Sequence, residues 1–483
     1  MTTRRTRLVF LFALLIPILL LAGCGSSSTP AVPGNFSVSS LNGTYAFSFA
    51  GKDANGRYAV AGVLTADGAG NLTSGVLDVN QQPSPSTNVS FTGTYTIAGD
   101  GRGTATLTTP AGNFTLAFVI VSDTRALVTR FEKLAGGTGA FDRVNSADFA
   151  TTALAGTFAF SLNGVDASGK PLATVGSIAT DASGNITTGV QDVSDNGAVT
   201  TSQAITAGSL QVAGNGRGTV SITTATGPLN FAFYVVDANH IKLVETDKSP
   251  LLSGDAFRQN GPFSNASLTG PFAFTVSGTD TAHGPYATGA VLATDGAGAI
   301  TSGSQDINDG GTPTSNIAIT GAYSVDATGR GAATLTSASA GTVDFVLYPT
   351  TNGVLMLNVD SGLVASGTAS AQTRPFTNAV VAGPYAMNFA QFTTTGEADA
   401  NAALGANNQG GMTGLTDIND LGSLSTATPM TAGFALDSSG HGPLQIGSGL
   451  GVQNMAIYAL DQTHCLFIGL DSGVVTVGDI ESN

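Results

Sequence analysis

Three observations predict an all-β chain of four tandem antiparallel domains. Apolar residues alternate with polar ones at a period of two, as in Tyr45, Phe47 and Phe49 against Ala46, Ser48 and Ala50. Clusters of Gly, Asn and Asp, such as Asp53-Ala-Asn-Gly56 and Asp67-Gly-Ala-Gly70, punctuate these runs every 8–12 residues or so, where tight hairpins need positive φ. One block of markers is also written four times.

The repeat is read directly from the residues. Leu41-Asn-Gly-Thr-Tyr45-Ala-Phe47 returns from Leu154, from Leu268 and, as Val-Ala-Gly-Pro-Tyr-Ala-Met, from Val381. Gly-Val-Leu-Asp78 matches Gly-Val-Gln-Asp192, Gly-Ser-Gln-Asp306 and Gly-Leu-Thr-Asp417. Gly101-Arg102-Gly103 matches the triplets centred on Arg217 and Arg330, then becomes Gly440-His441-Gly442. A period near 113 residues is too long for a solenoid repeat and is the size of a domain. The expected units are 38–147, 148–262, 263–376 and a divergent 377–483, with joins short enough to suggest beads on a string.

In the first unit the alternation predicts eight strands, over 44–52, 57–66, 71–79, 89–98, 103–109, 113–122, 125–133 and 138–144. Only the loop near 80–88 is longer than a hairpin. Eight sequential strands leave two exposed edges unless the sheet closes, so an up-and-down barrel is expected. An immunoglobulin-like β-sandwich is the alternative. In size and strand count the unit resembles the lipocalin and streptavidin barrels, in architecture only, since it carries none of their signature residues.

The N-terminus reads as an address. Arg4, Arg5 and Arg7 precede an apolar run from Leu8 to Leu21, too short as a helix to span a bilayer of ~30 Å. The run ends in Leu21-Ala22-Gly23-Cys24, which resembles the lipobox of bacterial lipoproteins. That resemblance implies cleavage of residues 1–23, acylation of Cys24 and anchoring in the cell envelope. Gly25, in place of an Asp, favours the outer membrane. Residues 24–37, rich in Ser, Gly and Pro, would form a flexible tether. Apart from Cys24 only Cys465 carries a thiol, so no internal disulfide is expected.

The 483 residues carry 17 Lys and Arg against 32 Asp and Glu, and this acidity excludes a general nucleic-acid binder. Candidate site residues are few. The acidic group after the third strand (Asp78, Asp192, Asp306 with Asp309, Asp417 with Asp420) suggests either capping of the strand end or a polar-ligand or cation loop. Asp67, Asp181 and Asp295 open Gly-rich turns that have too few carboxylates for Ca²⁺. Arg102, Arg217 and Arg330 suggest an ion pair with the recurring Asp, Arg102 with Asp78 for example.

The four His (240, 283, 441 and 464) occupy non-equivalent positions without metal-ligand spacing, so neither metal nor cofactor is expected. His464 and Cys465, adjacent on a strand, should face opposite ways and form no catalytic dyad. No nucleophile elbow or phosphate loop is present, and no enzymatic activity is expected. The sequence supports two functions. One is a lipid-anchored envelope protein displaying β-domains to an envelope or extracellular partner, in a binding, structural or adhesin-like role. The other is a carrier holding small apolar ligands inside its barrels.

Overall fold

The computed structural model describes residues 34–82, 84–393, 396–420 and 422–483, the side chain of Val380 excepted. The expected signal peptide, Cys24 and most of the tether lie outside these residues.

The described chain is four antiparallel β-barrels joined by short connections containing single 3₁₀ turns. Strands of the first barrel run Asn42–Asp53, Gly56–Asp67, Asn71–Gln81, Ser86–Ile97, Arg102–Thr109, Gly112–Ser122, Arg125–Arg130 and Ala135–Arg143. Each pairs with the next, and the first pairs with the eighth (Phe47 opposite Phe141), which closes the sheet. The third and fourth barrels, residues 269–371 and 382–482, close the same way. In the second barrel, residues 156–259, the fourth strand is broken into Ala198–Ala204 and Ala207–Val212. The barrel is held across the break by Ile205 N–H donating to Gly189 O and by an Asn185–Ser209 bridge. These barrels settle the choice against the sandwich.

Each barrel has its own core. Tyr45, Phe47, Phe49, Phe91, Phe118 and Phe141 fill the first, with rings packed mostly edge to face. Equivalent inward rows fill the other three. Alternation explains this: on a pleated strand every second side chain points inward, and a barrel of eight strands has room only for side chains. A plug residue (Leu41, Leu154, Leu268 or Val381) ends the short turn that enters each barrel and is buried in its base.

The units are not beads on a string. The outward faces of strands one to three of each barrel pack on strands six to eight of the next, and those of the fourth pack back on the first. Four apolar clusters line these joints. Ala46, Ala59 and Ala61 meet Ala232, Tyr234 and Val244. Ala159, Ala173 and Val175 meet Val346, Tyr348 and Leu357. Ala273, Ala287 and Val291 meet Ala456, Tyr458 and Ile468. Ala386 and Ala403 meet Val119, Val121 and Leu127. A head-to-tail contact repeated at a constant turn either closes or grows without limit, and here it closes into a ring of four. The expectation of independent beads fails because the outward residues of these strands are small and apolar and therefore seek cover.

Candidate functional site

The Gly-Arg-Gly marker is built to aim its Arg at a neighbouring barrel. Its first glycine (101, 216 and 329) has φ of +92°, +82° and +82°, and a Cβ there would strike the ring of Phe36, Phe149 or Phe263. These phenylalanines recur at the same period, a marker the sequence reading missed. The turn points the Arg outward at the start of the fifth strand, into the joint with the preceding barrel.

Arg217 of the second barrel makes a bidentate pair with Asp78 of the first, at 2.8 Å from Nε and 2.7 Å from Nη2. Arg330 does the same to Asp192, at 3.0 and 2.6 Å. His441 replaces the Arg at the third joint, its Nε2 lying 2.7 Å from Asp306 Oδ2. The ring closes with Arg102, whose Nη1 donates to Asp417 at 2.7 Å while its Nε donates to Asp100. The recurring Arg therefore does pair with the recurring Asp, but with that of the preceding unit, so the expected Arg102–Asp78 pair does not form.

Each Asp is also held from its own barrel. The backbone N–H of Asn88, Ser202, Asn316 and Ala427, all at positive φ, donates to Asp78, Asp192, Asp306 and Asp417 respectively. A tyrosine completes three of the four: Tyr234 donates to Asp78, and Tyr348 and Tyr458 donate to Asp192 and Asp306 at 2.7 Å each. The equivalent of Tyr234 in the first barrel is Val119, so the closing joint lacks this bond. The hydrogen bonds they donate to Asp78 and Asp192 hold Arg217 and Arg330 above the ordinary guanidinium range. Two residues on, Asn80, Asn308 and Asn419 insert their amides across the joints onto backbone carbonyls of Glu245, Gly469 and Arg130.

The acidic residues expected to cap strand ends or form a ligand loop thus divide. Asp78, Asp192, Asp306 and Asp417 are buried in the joints with their oxygens engaged by these partners. Asp309 is half-buried beside His283, 2.8 Å away, and Asp280, with its Oδ1 enclosed and unpartnered, while Asp420 is exposed at the end of its strand. Asp67 is a turn residue. It accepts from the N–H groups of Ala69 and Asn71 and from the Asn71 amide, and these bonds hold its carboxyl below the usual range.

Two cavities, each lined by all four barrels, lie along the ring axis. One, of about 290 Å³, is bordered by Arg57, Asn163, Ser277, Tyr286, Ser366 and Phe392. The other, of about 580 Å³, is charged, with Arg125, Lys242, His240 and His464 facing Asp142, Asp255, Asp479 and Glu481. Arg125 bridges the first and fourth barrels, donating to Asp142 at 2.7 Å and to both oxygens of Glu481 at 2.9 and 3.1 Å. Lys242 of the second barrel reaches Asp142 at 2.8 Å and Asp255 at 3.4 Å. Burial, the largest single effect, would raise Asp142 and Asp255, but the charged partners together outweigh it: Lys242, Arg125 and His240 at Asp142, and Lys242 and His240 at Asp255. Asp142 is held below the usual range and Asp255 falls to about 2.

His464 and Cys465 diverge as alternation requires. Cys465 is buried in the fourth core, where burial pushes its thiol up to about 12, far from a nucleophile's range. His464 faces the axial cavity with Asp479 and Glu481. The trio is hidden in the sequence because His464 comes from a different strand from Asp479 and Glu481. The signal was an Asp-x-Glu pair at period two, opposite a His in register.

The fold and joints define a class: an all-β protein whose tandem barrels lock head to tail into a closed ring. No protein-family model matches the chain, and no curated protein matches it. Among solved structures it is similar to a mutant of Transferrin Binding Protein B from Haemophilus parasuis Hp5, with 11% identity over 74% of this chain and 82% of that one, at a TM-score of 0.19. It is similar also to the isotype 1 Transferrin binding protein B of serogroup B Neisseria meningitidis, with 10% identity over 74% and 84% and the same TM-score of 0.19. Likeness at these scores carries no inference about what this chain does.

Proposed function

We propose that the chain is a lipid-anchored cell-envelope protein whose ring serves as a rigid display platform, for binding or for a structural, adhesin-like role. In this reading residues 1–23 are removed, Cys24 is acylated and placed in the outer membrane, and residues 24–37 tether the ring. The Leu21-Ala22-Gly23-Cys24 tetrad supports the anchor. Several acyl chains on one residue would make it stable, since each buried CH₂ contributes ~0.8 kcal/mol.

The observation that carries the display role is that the repeats are used on their outer faces. Four equivalent joints lock the barrels together, while the barrel interiors are filled with side chains. The cavity inside the third barrel is about 40 Å³ and the one lined by Leu77, Phe114 and Arg130 of the first about 220 Å³, both short of the roughly 300 Å³ or more of a small-molecule pocket. The carrier reading therefore loses its support. The partner belongs to the envelope or to the space outside it, and the role needs no catalysis.

Labelling cells with a palmitate analogue tests the anchor. The wild type should incorporate label and sediment with membranes, and Cys24→Ala should do neither. Protease treatment of intact cells tests display: loss of the ring supports it, and full protection overturns it.

A further inference from the structure

We propose that the charged end of the ring axis is a divalent transition-metal site, held by His464, Asp479 and Glu481. This goes beyond the display role and is independent of it.

The three side chains share the outward face of the fourth barrel's last two strands. His464 lies opposite Glu481 in the ladder, and Asp479 is two residues before Glu481. One donor atom from each lies within 4.8 Å of the others. Donors around one ion bound at ~2.0–2.2 Å sit roughly 3–4 Å apart, so adjustments well under an ångström per ligand would close the set.

Two further observations point to a ligand. His464 Nε2 is buried without a hydrogen-bond partner, and a buried polar atom left unsatisfied asks for a missing ion or water. The cavity also holds more acid than permanent base: four carboxylates (Asp142, Asp255, Asp479 and Glu481) face only Arg125 and Lys242. A divalent cation between His464, Asp479 and Glu481 would balance the surplus of carboxyl groups over bases.

The donor set decides the ion. One imidazole and two carboxylates suit Zn²⁺ or Mn²⁺ and fall short of the six to eight oxygens that Ca²⁺ takes. Arg125 does not block the site. Its Nε takes one position on each oxygen of Glu481, and a carboxylate has about four lone-pair positions, so acceptor capacity remains for an ion. Arg125 thereby orients the ligand from behind, as outer partners do in metal sites.

The test uses the full chain in detergent, stripped with chelator and titrated calorimetrically with Zn²⁺ at pH 7. We expect one equivalent to bind, and Co²⁺ to give a visible spectrum with nitrogen ligation. Asp479→Asn and His464→Gln should each weaken binding more than about tenfold, with metal-free melting retained. Asp280→Asn, in the separate Asp280–His283–Asp309 group, where only His283 is exposed, should change nothing. Absence of saturable binding overturns the proposal, as does binding that survives in both ring-axis variants or disappears with Asp280→Asn. Should His464→Gln fail to fold, Asp479→Asn decides alone.

Discussion

Arg217 reaches back 139 residues to grip Asp78 in the preceding barrel, and the carboxylate it grips is fully buried. Removing one partner of such a pair leaves a charge uncompensated, which costs far more than the pair contributes. Asp78→Ala should therefore destabilise the full chain by about 3–5 kcal/mol in urea unfolding. Arg217→Ala combined with it should add much less than its own single loss. Arg102→Ala combined with Asp78→Ala should be additive within about 0.5 kcal/mol, because the two residues serve different joints. A coupling between Arg102 and Asp78 would contradict the ring.

Tyr348→Phe removes only a hydroxyl, the one that donates to Asp192 at 2.7 Å. A hydrogen bond to a buried carboxylate is worth about 1.5–3 kcal/mol, and a loss of that size is expected on unfolding. Tyr458→Phe should behave alike at the next joint. A neutral result in both would show that Arg330 and His441 hold their aspartates unaided.

Glu245 is buried on the inward face of the second barrel, and neither of its oxygens has a partner. Burial first, and Asp247 second, push its carboxyl up to about 9. The folded chain thus keeps a proton that the unfolded chain releases near the ordinary glutamate value. Stability should fall as pH rises between these two values, by at most about 1.4 kcal/mol per pH unit. Glu245→Gln should flatten that slope and raise the melting temperature at pH 8. An unchanged slope would place the titration elsewhere.

Gly139 sits on the eighth strand beside the first. A Cβ there would lie 1.9 Å from Ser48 O and 2.7 Å from Phe49. Gly254 and Gly367 repeat the close approach in the second and third barrels. Gly139→Ala should cost about 1–3 kcal/mol or more through forced strand displacement. Gly99→Ala, which meets nothing within 4 Å, should stay within about 0.5 kcal/mol. Equal losses would remove the steric explanation.

The barrels were legible because period-two alternation and hairpin chemistry are local properties. Tyr45, Phe47 and Phe49 announce an inward face without reference to any other unit. The ring was not, because a tandem repeat shows that Arg and Asp recur but not which copies meet. The clue lay in the second and sixth strands, where Tyr58-Ala-Val-Ala61 and Ala117-Phe-Val-Ile-Val121 are apolar on both faces. Such runs mark strands covered on both sides, and in a filled barrel the outer cover must come from elsewhere. The axial trio was harder still: His464 and Glu481 become neighbours only through strand register.

Closure also governs what happens before the last barrel is made. A nascent chain with one, two or three barrels folded presents a sticky surface at each end, one complementary to the other. Copies in that state can join end to end without limit, as units with a non-closing heterologous contact do. Only when residues 382–482 fold and dock on the first barrel are both surfaces consumed. A chain truncated before that point keeps both surfaces open, whereas the docking of the fourth barrel on the first covers them.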